Sequence, residues 1–216
     1  MYTKELSWHK AVTHTNDVAS FLPINQLIKL RDEGKIKGLT SRFHSLPTDY
    51  SQRNTNERDA PEILNRLIED KADIAILVPL WPVCHQTVSL VARHLEVNGI
   101  PTLIIGSALD IVTHCGAPRY LYTDFPLGNP CGKPYDQNMQ MSIIHHAMSL
   151  IEKAEKADTV ERSPLLWSED NSWRDKYLPV NKENKQELEQ LGAARRQQQA
   201  LERENGGKRS PMIPQM

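Results

Sequence analysis

Apolar positions along the chain first fall at helical spacing. Ile24, Leu27, Ile28 and Leu30 follow Pro23, which suits a first helical turn, until Gly34 and Gly38 break the pattern. Residues 42–46 predict a short strand ending at Pro47, and residues 48–56 a polar loop. Asp59 is placed to cap the next helix, with Pro61 early in its first turn and Ile63, Leu64, Leu67 and Ile68 as its buried stripe.

From residue 73 the pattern changes. Residues 73–80 are a continuous apolar run, as expected of a strand covered on both faces. A helix follows from Pro82, with Val83, Thr87, Leu90, Val91 and Leu95 to one side, and Asn98-Gly99 stops it. Residues 100–105 predict a second strand, 108–114 a short helix ending near Gly116, and 119–122 a third strand. This alternation predicts an α/β fold with a doubly wound parallel sheet of Rossmann or flavodoxin-like type, its crossovers right-handed. A glycine- and proline-rich loop over 124–134 leads to a helix over 137–156, with Met141, Ile144, Ala147, Met148 and Ile151 inward. Residues 163–180 are irregular but hold Trp167, Trp173 and Tyr177, which predicts a strap across the body. The organisation expected is an N-terminal segment (1–20), a single α/β domain (21–180) and a charged tail (181–216). Leu188, Leu191 and Leu201 give that tail only a thin apolar stripe, as in a solvated helix or disordered chain.

Composition narrows the function classes. Hydrophobic residues make up 39% and charged residues 25% of 216, with a formal net charge of -1. That balance lacks the basic surplus of a nucleic-acid-binding protein. No apolar run approaches the roughly 18–20 residues that cross a bilayer, and no secretory signal opens the sequence, so no membrane partner and a cytoplasmic address are expected. Three scattered cysteines, Cys84, Cys115 and Cys131, do not form a disulfide framework. No GxGxxG follows a strand, so neither flavin nor nicotinamide, nor any other tightly bound cofactor, is expected.

Ligands of open parallel sheets bind at the carboxyl ends of the strands, and Trp81-Pro82-Val83-Cys84 falls there. A thiol in the first turn of a helix meets the positive end of the macrodipole, which favours thiolate, and His85 is placed to hold a proton or positive charge beside it. The plainer reading has Cys84 merely facing the sheet. Redox sites at such turns pair two chalcogens across two intervening residues, yet here Trp81 holds the partner position. Asp124, Asn129 and Lys133 are candidate substrate or subunit contacts, and Tyr50, Ser51, Gln52 and Arg53 either wall the cleft or form a surface loop. His114-Cys115 ends a helix, Cys131 is a candidate extra resolving thiol, and His145-His146 point about 100° apart, a poor metal pair. No CxxC or HxxxH spacing supports a zinc site, and no metal is expected.

Several motifs in order carry a resemblance. They are Leu46-Pro47-Thr48-Asp49-Tyr50-Ser51-Gln52-Arg53, Pro79-Leu80-Trp81-Pro82-Val83-Cys84-His85-Gln86-Thr87, Ala92-Arg93-His94-Leu95-Glu96 and Gly99-Ile100-Pro101-Thr102. Residues 124–130 and 163–170 extend them. The sequence resembles the selenoprotein B subunit family of glycine, sarcosine, betaine and D-proline reductases, and most nearly the short D-proline-reductase-type homologues. The resemblance implies selenocysteine or cysteine at position 81, with Cys84 as its resolving thiol and His85, Gln86, Thr87 and Tyr50 as supporting residues. It implies reductive cleavage of a carbon–nitrogen bond in a small amine or amino acid held as a Schiff base by a pyruvoyl-containing partner subunit. A dithiol or thioredoxin-like reductant would then reopen the selenosulfide. Selenocysteine is encoded by UGA, one base from the tryptophan codon UGG, so Trp81 is read as a recoded or substituted selenocysteine. Two alternatives stand beside this. One is an inactive binding or assembly homologue with native Trp81; the other is a thiol redox protein pairing Cys84 with Cys115 or Cys131.

Overall fold

Four short strands form one parallel sheet in chain order: β1 (Ala75–Leu77), β2 (Thr102–Gly106), β3 (Arg119–Tyr122) and β4 (Thr159–Arg162). The computed structural model describes residues 12–48, 50–170 and 172–175, and beyond them only 185, 186, 189, 190, 193 and 197. Pairing runs through Ile76–Leu103, Ile104–Tyr120 and Tyr120–Val160. Every residue of β2 is buried, which is why it reads as an unbroken apolar run.

Successive strand residues point to opposite faces and build two cores. Leu77, Ile104 and Tyr120 pack with Val88, Val91, Ala92 and Leu95 of α4 (Pro82–Val97) and Val112 of α5 (Leu109–Cys115). Leu103, Ile105 and Leu121 pack with Leu30 of α1 (Ile24–Asp32) and with Ile143, Ile144, Ala147 and Leu150 of α6 (Gln137–Lys153). Trp167 and Trp173 close that second core, so the strap is present, while Tyr177 lies outside the described residues. So does almost all of the tail from 181. No described helix is long and apolar enough to cross a membrane.

Strands laid down in chain order need every connecting helix on one face if all crossovers share one hand. Here α4 and α5 share a face and α6 takes the other. The β3–α6–β4 crossover is therefore opposite in hand to the two before it, a departure from the uniform right-handedness expected. α6 covers the face of β2 and β3 that α4 and α5 leave open, and Cys131 N–H bonds Ser20 O at 2.9 Å in the connection that leads to it. At the carboxyl ends of β2 and β3 the two connections stay tied: Thr123 N–H bonds Gly106 O at 2.9 Å, and Ser107 Oγ lies 3.3 Å from Thr123 Oγ1.

Other differences are local. Residues 42–46 form an extended loop rather than a strand, held by Arg42 Nε and His44 Nε2 on Asp70 at 2.9 and 3.3 Å. Asp59 is no cap. The helix starts earlier, at α2 (Gln52–Asn54), where Ser51 Oγ accepts from Asn54 N–H. It then passes through a π-helical stretch, Thr55–Asp59, into α3 (Ala60–Glu69). Pro61 has no N–H for the carbonyl four residues back, and the wider turn removes the need for that bond. The edge strand β4 has only Val160 as an apolar residue and gave no sequence signal.

Candidate active site

β1 ends at Leu77, and the chain runs out to Trp81, the residue that precedes the first turn of α4. Trp81 is extended, with φ -119° and ψ 163°, as a residue before proline prefers, and its side chain caps nothing. Val83 and Cys84 are in the first turn, where backbone N–H groups have no acceptor within the helix. Cys84 is half-buried, and its Sγ lies 4.0 Å from Thr48 Oγ1. The two sequence motifs around Leu46-Pro47-Thr48 and Trp81-Pro82-Val83-Cys84 thus meet in space.

His85 behaves differently from the proton holder expected. Its ring is fully buried, with Nδ1 2.7 Å from Trp81 O and Nε2 2.9 and 3.2 Å from the N–H groups of Ser107 and Ala108. Two N–H donors make Nε2 an acceptor, so the ring proton sits on Nδ1 and is donated to the Trp81 carbonyl. Burial pushes the imidazole pKa down to about 4, which keeps the ring neutral. His85 is therefore a strut that ties the backbone of residue 81 to the turn after β2. Gly106 makes room for it: a Cβ there would lie 2.8 Å from His85 Nε2.

Gln86 lies on another side of α4. With Pro82, Val83, Asp110, Ile111, His114 and Cys115 it lines a cleft of about 370 Å³ between the start of α4 and the length of α5. Burial pushes the Cys115 thiol pKa up, against the opposing charge of Arg93. Thr87 is buried and does not line that cleft. Among the described residues, no three His, Cys, Asp or Glu side chains converge as a metal site would require.

The loop after β3 splits by role. Asn129, expected as a substrate contact, is fully buried. Its side chain accepts from Thr13 Oγ1 at 2.8 Å and donates to His14 O and Ser20 Oγ at 3.0 and 2.8 Å, so it clasps the N-terminal segment. Cys131 is buried in the α6-side core and its thiol pKa is pushed far up by burial, which removes it as a resolving thiol. Lys133 lies over the Trp167 ring, 5.9 Å from its centre. Tyr50 is exposed, in the left-handed region at φ 58°, and Arg53 pairs with Glu57 along the exposed helix.

Asp124 does stand at the sheet end, with partners that the sequence did not indicate. Its Oδ1 accepts from Tyr122 OH at 2.8 Å, and its Oδ2 meets Arg162 Nη2 at 2.5 Å and Arg174 Nη2. Burial alone would raise the Asp124 pKa, but Arg174, Tyr122 and Arg162 together hold it below the usual carboxylate value. Burial, and then Asp124, push Tyr122 up to about 12. Residues 124, 162 and 174 are far apart in sequence, so no spacing pattern joins them; only the β3–β4 pairing of Tyr122 with Arg162 does.

The chain is similar to a D-proline reductase subunit. That relative, D-proline reductase subunit gamma of Acetoanaerobium sticklandii, is 28% identical over 149 residues, covering 68% of this chain. The chain spans 62% of that relative's length, less than two thirds. No family model matches the sequence, and no solved structure matches it.

Proposed function

We propose that this chain is a subunit of an oxidoreductase of the D-proline reductase type, cleaving a carbon–nitrogen bond through a selenol or thiol at position 81 with Cys84 as the resolving thiol. The observation that carries the reading is the placement of positions 81 and 84 together, across one helical turn, at the carboxyl end of β1. The similarity to D-proline reductase subunit gamma supports the same reading. A chalcogen at residue 81 would stand at a helix start, where thiolate or selenolate is favoured. Its backbone is fixed by the His85 hydrogen bond rather than left to a mobile loop.

The chemistry balances as a two-electron reduction. The anion at position 81 bonds to the α-carbon, the C–N bond breaks, and its electron pair leaves with nitrogen, which takes a proton. Cys84 thiolate then attacks the chalcogen at 81, and the freed carbon takes a proton. The bond left between positions 81 and 84 is reduced by an external dithiol or thioredoxin-like protein, which is itself oxidised. A pyruvoyl group of a partner subunit, when bound, would supply an electron sink at the amine. Protein isolated from its native host with its associated subunits tests this, through dithiothreitol-dependent reduction of D-proline. Turnover should fall to background in Cys84→Ser; full activity in that variant would overturn the role given to Cys84.

A further inference from the structure

The end of the sheet farthest from β1 carries side chains for which the chemistry at position 81 has no use. Arg162 ends β4 directly opposite Tyr122 of β3, and Arg174 reaches in from the strap. Both guanidinium groups converge on Oδ2 of Asp124, whose side chain is only 13% exposed, while those of Arg162 and Arg174 are 66% and 47% exposed. A structural ion pair needs one cation. Here two cations share one carboxylate oxygen, leaving a local excess of one positive charge and several N–H donors of each guanidinium uncommitted. Aromatic rings back both groups: Arg162 lies 5.5 Å from the centre of the Tyr122 ring and Arg174 4.8 Å from that of Trp173. Guanidinium forks held in this way match the planar, two-oxygen face of a carboxylate.

We propose that Arg162 and Arg174 form a carboxylate-binding fork that anchors an amino-acid substrate at the carboxyl ends of β3 and β4. Asp124 and Tyr122 hold the two guanidinium groups in position. The excess of one charge suits a monoanion, and the nearby Asp124 carboxylate disfavours a dianion such as phosphate. The amino acid as ligand rests on the reductase reading; the anionic selectivity rests on the arginines alone.

The test is calorimetric titration of the full chain with D-proline, D-prolinamide and inorganic phosphate. It compares the unaltered protein with Arg162→Gln, Arg174→Gln, Arg162→Lys and, as a remote control, Arg31→Gln, which only loosens an exposed pair with Asp32. D-proline should bind and D-prolinamide should not. Either Arg162→Gln or Arg174→Gln should weaken D-proline binding by about tenfold or more, and Arg31→Gln should leave it unchanged. Arg162→Lys keeps the charge toward Asp124, so it should melt with the unaltered protein and yet bind D-proline less tightly. Absence of D-proline binding, equal binding of the amide, tighter binding of phosphate, or affinity unchanged in the arginine variants would each overturn the fork. The two readings fail separately. D-proline binding without turnover would count against the chemistry at position 81, and turnover with an unchanged KM in Arg162→Gln would count against the fork alone.

Discussion

His85 is the residue whose chemistry the structure changes most. Its pKa in the folded chain, about 4, lies below the ordinary 6.5, so as pH falls the unfolded chain binds the proton first. Stability should be insensitive to His85 above pH 6.5 and should decline between pH 6.5 and about 4, by on the order of 3 kcal/mol. Asp124 and Asp70, held below their ordinary 3.8, lose their contribution only at lower pH, so the two effects separate. Urea unfolding across this range should show the decline in the unaltered protein and lose it in His85→Gln; an unchanged slope in the variant would refute the neutral buried ring. The cysteines divide just as plainly. Maleimide on the native protein should label Cys84 well before Cys131, which lies buried among Phe125, Ile144 and Trp167 and should react only on unfolding. Equal labelling rates would remove the distinction between an accessible resolving thiol and a core thiol. None of the roles of His85, Cys131 or Asn129 was legible in the sequence, because burial and partner are set by contacts more than twenty residues away.

At the scale of elements, the turn from β1 into α4 and the turn from β2 into α5 act as one unit, stitched by the His85 ring. Gly106→Ala should test the stitch, since the added Cβ must displace a buried imidazole and lies 3.1 Å from Pro79 Cγ. A loss of about 1–3 kcal/mol in chemical denaturation is expected; an unaffected midpoint would show that the ring is not confined. Trp81→Cys should join to Cys84 on mild oxidation, which would lower the thiol count by two and leave Cys115 and Cys131 reduced. Failure to form that bond would place positions 81 and 84 too far apart for the proposed exchange. The elements most legible in the sequence were those with the strongest physical signals. The helix Pro82–Val97 has proline at its first position and Asn98-Gly99 beyond its end, and β3 formed at residues 119–122 as predicted. β4 was hidden because an edge strand can be polar, and the loop at 42–46 looked like a strand because alternation cannot show whether a pairing edge is available.

For the whole molecule, the α/β class and the position of residues 81–84 at the start of the helix after β1 followed from the order of apolar runs and glycine stops. The crossover of opposite hand did not, because which face a helix takes depends on which face is still uncovered. Position 81 follows β1 at one edge of the sheet, and the Asp124–Arg162–Arg174 group lies at the ends of β3 and β4. The chemical identity of residue 81 bears on this account most directly. Peptide mass spectrometry of the protein from its native host grown with selenium, read beside the codon, should find selenocysteine at position 81 and a UGA codon. Tryptophan there from a UGG codon would contradict the account, because the chain would then lack the nucleophile on which the proposed reduction depends.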